Sequence, residues 1–151
     1  GETNLLQQVI DAHPAVLAHN LETVSRLTSK VRDPRAGYQQ SLNVLEYLKI
    51  NGKGAYTKSS LMLGLGEKHE EIFQAMNDLR KAGVDFLTLG QYLQPTRKHL
   101  AVKDFISPKT FDELAEEGRR MGFEYVAAGP LVRSSYRAAE FYIEHKIRNA
   151  S

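Results

Sequence analysis

Four short stretches of this 151-residue chain put hydrogen-bonding side chains or glycines directly after an apolar run. They are His19-Asn20-Leu21-Glu22, Gly64-Leu65-Gly66-Glu67, Gly90-Gln91-Tyr92 and Arg133-Ser134-Ser135-Tyr136. Asn20 and Glu22 are paired acceptors able to hold sugar hydroxyls. A glycine such as Gly64, with no Cβ, lets backbone lie close against a flat ring. Arg32 carries a guanidinium that matches a carboxylate bidentately, although it also reads as one more exposed charge in a basic stretch. Turn chemistry explains any one loop equally well: Gly and Asn suit turns, and Glu67 suits the cap of a following helix. Several such loops at one end of one sheet imply a shared cleft.

Some chemistries are excluded. Neither a Gly-x-Gly-x-x-Gly nor a Gly-Lys-Ser pattern is present, so this is not a nucleotide phosphate loop. His69 and His99 have no partner at metal-ligand spacing and read as surface residues. The chain has no cysteine, which rules out disulfides, Cys-ligated zinc and a Cys-only iron–sulfur site built from these residues. That composition is compatible with a reducing compartment. Twenty basic and eighteen acidic residues are well mixed and leave a net charge of +2, which gives no reason to invoke nucleic acid or a membrane surface. No apolar run approaches the roughly 20 residues of a membrane span. The opening Gly1-Glu2-Thr3-Asn4 lacks the basic-then-apolar pattern of a targeting signal.

The elements that must position these loops alternate. Ala15 to His19 reads as a short buried strand, Glu22 to Ser29 as a helix, and Arg35 to Lys49 as a second helix. The second has Tyr38, Leu42, Leu45 and Leu48 on one face and is stopped by Asn51-Gly52-Lys53-Gly54. Ser59 to Leu65 is the next strand, Glu70 to Ala82 a helix with Gly83 as its stop, and Val84 to Leu89 a third strand. That strand is Leu-rich without alternation, as one covered on both faces should be. A polar loop from Gln91 to Lys98 follows, with a short further segment from Phe105. Ser107-Pro108 is an N-cap followed by Pro at the first helical position, opening a helix that Gly122 stops. Phe123 to Ala127 is a fourth strand, Gly129 to Ser135 a loop, and Tyr136 to Arg148 a final helix. Such an order requires parallel strands with helical crossovers in a single α/β domain spanning residues 1–151.

Five runs in order carry a resemblance. They are His19-Asn20-Leu21-Glu22-Thr23-Val24, then Lys30-Val31-Arg32-Asp33-Pro34-Arg35-Ala36, then Thr57 through Glu67 (Thr-Lys-Ser-Ser-Leu-Met-Leu-Gly-Leu-Gly-Glu). Leu87-Thr88-Leu89-Gly90-Gln91-Tyr92-Leu93-Gln94-Pro95 and Gly129-Pro130-Leu131-Val132-Arg133-Ser134-Ser135-Tyr136 complete the set. From about His13 to Glu140 the chain resembles the C-terminal part of lipoyl synthase. The resemblance implies part of a partial (β/α)6 TIM-like barrel of the radical-SAM type. It also implies insertion of two sulfur atoms into an octanoyl group on a lipoyl carrier domain or H protein. Two [4Fe-4S] clusters and S-adenosyl-L-methionine would serve that chemistry, with the cysteine triads in sequence upstream of this region. An electron donor and a cluster-repair protein would be further partners. The segment Ala139-Glu140-Phe141-Tyr142 resembles mitochondrial members, which points to the mitochondrial matrix, with a bacterial cytoplasm as the alternative.

Residue roles come with the resemblance. Asn20 and Glu22 fall on the motif that binds the ribose of S-adenosylmethionine, and Arg32 is a candidate for its methionyl carboxylate. Ser60-x-Met62-x-Gly64-x-x-Glu67 falls on the strand and turn that pack on adenine, making Met62, Gly64 and Leu65 cofactor contacts. Ser135 is implied as an oxygen ligand of the auxiliary cluster, although a helix N-cap is what its position alone would suggest. Arg133 beside it holds substrate or steers the serine, and Gln91 with Tyr92 lines the substrate side. Two other readings stay open. One is an aldolase-like barrel fragment, for which Lys58 is the only tempting Schiff-base lysine. The other is a non-catalytic module that docks a carrier domain. A piece cut from a parallel barrel is also expected to be unstable alone, to self-associate, or to sit beside its missing half.

Overall fold

A computed structural model of the chain describes residues 2–133. The elements run α1 (Glu2–Asp11), β1 (Val16–Ala18), a 3-10 turn (Ser25–Leu27), α2 (Thr28–Val31), α3 (Tyr38–Asn51), β2 (Tyr56–Leu63), α4 (His69–Lys81), β3 (Phe86–Gln91), α5 (Pro108–Arg120) and β4 (Tyr125–Gly129). The four strands form one parallel sheet in the order β1-β2-β3-β4. Each strand therefore lies beside its predecessor, which is the winding of a barrel wall rather than of a doubly wound open sheet. The α/β class, the parallel strands and the helical crossovers are as the sequence implies. No helix among the described residues is long and apolar enough to cross a membrane.

Packing explains the winding. Leu61 and Leu63 of β2, Leu87 and Leu89 of β3, and Val126 of β4 share one core with Leu42 and Leu45 of α3. Ile72, Met76 and Leu79 of α4 and Phe111 and Leu114 of α5 complete it. Alternation puts those strand residues on one side, so the crossover helices cover a single face. Helix α4 buries Ile72, Ala75, Met76 and Leu79 at helical spacing, with Glu70 and Glu71 in its first turn and Arg80 and Lys81 in its last, charges that suit the helix dipole. In α5 the Ser107 hydroxyl accepts from the Thr110 N–H at 3.1 Å, ahead of Pro108. That is the cap the sequence predicts.

Several boundaries move. Strand β2 begins at Tyr56 rather than Ser59, because the polar Tyr56-Thr57-Lys58 pairs with β1 and β3. Strands β3 and β4 start two residues later than expected. The predicted helix over Glu22 to Ser29 reduces to the 3-10 turn and α2, because Glu22 is tied to β2. Helix α3 starts at Tyr38, since Asp33 accepts from the Arg35 N–H at 2.9 Å and holds Pro34 to Ala36 in a turn. No regular element begins at Phe105. Helix α1 is unexpected. Its Ile10 packs with Leu17 and Leu48, and its Gln7 accepts from the Tyr47 hydroxyl at 3.1 Å. The final helix predicted over Tyr136 to Arg148 lies outside the described residues.

At the N-terminal ends of the strands, Asp85 is a hub. Its carboxylate accepts from Lys49 Nζ (2.8 Å) and the Thr57 N–H (2.9 Å), and its own backbone joins Thr57 and Glu124. The side chain ties β2 to α3, and the backbone of the same residue joins β2 to the start of β4.

Candidate functional site

The face of the sheet away from the helices is built in layers, set by register. Lys58, Phe86 and Tyr125 form one layer, Ser60, Thr88 and Ala127 the next, and Met62, Gly90 and Gly129 the last, nearest the C-terminal ends. A cavity of about 200 Å³ lies over the upper two layers, and its walls include Glu22, Ser60, Met62, Thr88, Gly90 and Arg133. Three of the loops singled out from sequence thus meet at one place.

Glu22 reaches this cavity through an unusual backbone. After β1 the chain leaves the sheet at Asn20 and returns at Glu22, where the Glu22 N–H donates to the Ser60 carbonyl (3.0 Å) and the Met62 N–H donates to the Glu22 carbonyl (2.8 Å). Leu21 between them donates its N–H to Ser59 Oγ at 3.0 Å. Bridging back onto β2 puts Glu22 at φ 75°, a left-handed conformation that costs a residue with a Cβ about 1–2 kcal/mol. The chain keeps glutamate there, half-buried and facing the cavity. Asn20, also half-buried, sits on the same excursion, directly after the strand end.

Opposite Glu22, residues Pro130 to Arg133 cross the sheet as a strap. An added Cβ on Gly90 would collide with the Val132 carbonyl, so only glycine lets the strap pass this close. The Arg133 guanidinium donates back to the carbonyls of Pro130 (3.0 Å) and Val132 (2.8 Å), shaping its own loop. Ser135, the implied cluster ligand, lies outside the described residues.

The turn after β2 is held from two sides. Gly64 takes φ 100°, and a Cβ there would strike the Asp104 carbonyl and the Gln91 amide. The Glu67 carboxylate folds back to accept from the N–H groups of Gly64 (3.0 and 3.1 Å) and Leu65 (3.1 Å). It braces the turn and does not cap α4. Burial pushes the Glu67 carboxyl above its ordinary value, against those backbone donors and with some help from the Asp104 charge. Glu71 instead serves the helix start, accepting from the Lys68 N–H at 2.8 Å. Arg26 clamps the Glu71 carboxylate with two 2.9 Å bonds and also donates to the Gly66 carbonyl. Its side-chain hydrogen bond is the main cause that holds Glu71 down at about 2.

Gln91 is buried, and its amide works on backbone. Its Nε2 donates to the carbonyls of Asp104 (2.9 Å) and Tyr92 (3.0 Å), and its Oε1 accepts from the Ile106 N–H (2.9 Å). Alternation from Gly90 puts this side chain toward the helices, so it braces the loop after β3. Tyr92 is likewise buried, with its hydroxyl donating to the Leu100 carbonyl at 2.7 Å.

Arg32 belongs to a neighbouring open groove of about 710 Å³ between α1, α3 and residues 32–36. Its Nη1 donates to Ser41 Oγ (2.5 Å), and that oxygen lies 3.1 Å from His19 Nε2. Burial, then the Arg32 charge, lowers the His19 pKa, which favours a neutral imidazole between β1 and α3. Arg32 and the cavity at Glu22 are thus on either side of the β1 strand end. Lys58 is buried in the deepest layer, His69 is exposed and edge-on to Phe73, and His99 is exposed beside Thr96.

Two polar residues were not singled out by sequence reasoning: Ser41, the hub of the Arg32 groove, and Thr88. A signal for Thr88 was present, since it is a lone hydroxyl in the apolar run Phe86-Leu87-Thr88-Leu89.

A singly wound parallel sheet, helices on one face and polar loops gathered at the strand C-termini define one wall of a TIM-like barrel. No family model matches the chain. It is 54% identical over 149 residues to "Lipoyl synthase 1, chloroplastic" of Zea mays, covering 99% of this chain and 41% of that protein. It is 50% identical over 149 residues to "Lipoyl synthase, mitochondrial" of Phytophthora infestans, covering 99% and 39%. To "Lipoyl synthase 2, chloroplastic" of Populus trichocarpa it is 51% identical over 151 residues, covering 100% and 38%. The chain matches a piece of a lipoyl synthase, spanning about 40% of the length of these curated relatives, and the family resemblance in its motifs is borne out.

Proposed function

We propose that this chain supplies part of the S-adenosylmethionine and substrate cleft of a lipoyl synthase, which inserts two sulfur atoms into a carrier-bound octanoyl group by radical chemistry. The observation that carries this reading is the meeting of Glu22, Met62, Gly90 and Arg133 around one cavity at the C-terminal rim. The donor set suits a nucleoside. The Glu22 carboxylate accepts from ribose hydroxyls and Met62 packs on adenine, while Gly64 and Leu65, whose N–H groups are held by Glu67, act by fixing the turn behind Met62. Arg32, in the adjoining groove, takes the methionyl carboxylate, and Asn20, half-buried just after β1, shares the ribose with Glu22. Arg133 on the strap faces the substrate side, and Gln91 acts from behind it by fixing the loop after β3.

The clusters do not fit these residues. The chain offers no thiolate, and among the described residues no three His, Asp or Glu side chains stand close enough to hold a metal ion. The cysteine ligands come from sequence other than this chain, and when bound the clusters supply the electron and the sulfur. Ser135 is the single ligand this chain would contribute. The partners inferred are an octanoylated lipoyl carrier domain or H protein, an electron donor and a cluster-repair protein. The compartment inferred is the mitochondrial matrix, and a plastid location in cell fractionation would overturn that placement.

Ser135→Ala in the full-length natural protein tests the reading. Iron content should stay near two four-iron clusters with lipoyl formation crippled. Full turnover by this variant overturns the ligand assignment, and a colourless full-length protein overturns the enzyme reading itself.

A further inference from the structure

Four buried side-chain atoms find no hydrogen-bond partner among the described residues: Thr23 Oγ1, Ser60 Oγ, Arg80 Nε and Thr88 Oγ1. Two of them are neighbours. Ser60 and Thr88 are register partners on β2 and β3 and share the layer directly beneath Met62 and Gly90. They are 3% and 4% exposed, and both line the cavity at Glu22. A buried hydroxyl left unpaired costs about as much as a lost hydrogen bond. Side by side in residues that line one cavity, the two groups offer hydrogen-bonding capacity that no described residue meets.

The geometry limits what enters. Glu22 is bonded to the backbone of Ser60, its N–H donating to the Ser60 carbonyl, and it lines the same cavity of about 200 Å³ as both hydroxyl-bearing residues. Each hydroxyl both donates and accepts, whereas the carboxylate only accepts. A polyol edge satisfies all three, and a bare carboxylate would be repelled by Glu22. We propose that Ser60 and Thr88 are further binding residues for the hydroxylated sugar of a nucleoside, completing from below the contact that Glu22 makes from the side. This rests on the nucleoside reading of the cleft and deepens it.

The test uses the full-length natural protein, with 5′-deoxyadenosine and free methionine as separate probes, titrated against wild type, Ser60→Ala, Thr88→Val and the double variant. Each single change should weaken 5′-deoxyadenosine binding by roughly 3- to 10-fold, the loss of one hydrogen bond, and leave methionine binding unchanged. Ser60→Thr and Thr88→Ser keep the hydroxyl and should bind the nucleoside within about twofold of wild type. Unchanged nucleoside affinity in the double variant, with a raised melting temperature, overturns the proposal, since the hydroxyls would then be merely unpaired. A Glu22→Gln control separates the levels. If it weakens nucleoside binding while the hydroxyl variants do not, only this inference falls. If it too has no effect, the nucleoside reading of the cleft falls.

Discussion

The two ends of the sheet solve opposite problems with the same strands. At the N-terminal rim the carboxylate of Asp85 is surrounded by donors from α3 and β2, and its backbone joins β2 and β4. At the C-terminal rim, Glu22 is held in a left-handed conformation, Gly64 and Gly90 are packed so closely that any Cβ would collide, and two hydroxyls find no partner among the described residues. The first rim is built for stability. The second carries strain and unmet hydrogen-bonding capacity, where barrel enzymes place their chemistry. The lesson is that local cost, not local polarity alone, tells the two ends apart.

That contrast can be broken in several ways. The largest effect is expected from Asp85→Ala, which strips the Thr57 N–H and Lys49 of their acceptor. It should cost about 2–3 kcal/mol of stability, read as a lower urea midpoint with unchanged slope. No loss would remove the hub from the account. Gly90→Ala comes next. Its Cβ must push away the Val132 carbonyl, costing about 1–2 kcal/mol and speeding proteolysis at Arg133; a variant as resistant as wild type would mean the strap does not lie there.

Glu22→Gly should separate the two ends most cleanly. Relief of the left-handed strain outweighs the entropy of a new glycine by about 0.5 kcal/mol, so the protein becomes slightly more stable while losing nucleoside affinity. A destabilised variant would show that Glu22 serves the fold instead. The smallest effects are in pH. The Glu67 pKa is raised, so its stabilising contribution is complete below about 4.5 and falls as pH rises through its folded pKa. Glu71 is depressed to about 2, so its contribution is present above about 4.5 and is lost as pH falls toward 2. Glu67→Gln should flatten the decline above pH 4.5, and Glu71→Gln the acid limb. Identical curves for the two variants would contradict these opposite settings.

Much of this was legible from residues. Helices α4 and α5 announce themselves through apolar spacing, the Ser107 cap and the stops at Gly83 and Gly122, because those signals are local. The boundaries of β2 were not, because Thr57 and Lys58 look like loop residues until parallel neighbours bury them. Helix α1 was missed although Leu5, Leu6, Val9 and Ile10 have helical spacing. Polarity at the chain start outweighed that pattern, and Leu5 and Val9 are indeed 63% and 50% exposed. Residues at the strand ends were found, but not which way they point. Gln91 sits one position from Gly90 and so faces the opposite side, a parity that only the register fixes.

The layers on the inner face also grade in bulk. Lys58, Phe86 and Tyr125 fill the deepest, Ser60, Thr88 and Ala127 are slimmer, and beside Met62 the top-layer Gly90 and Gly129 have only the bulk that lets Val132 lie over them. Successive layers are two residues apart, about 6.6 Å along the strands. The wall is stepped, with the Val132 strap seated over its shallowest layer and aromatic rings in its deepest, so the depth of the cavity between them is set by one layer of side chains. Filling the middle storey with Ala127→Leu would lift the floor by that single step and shorten the reach of any guest accordingly.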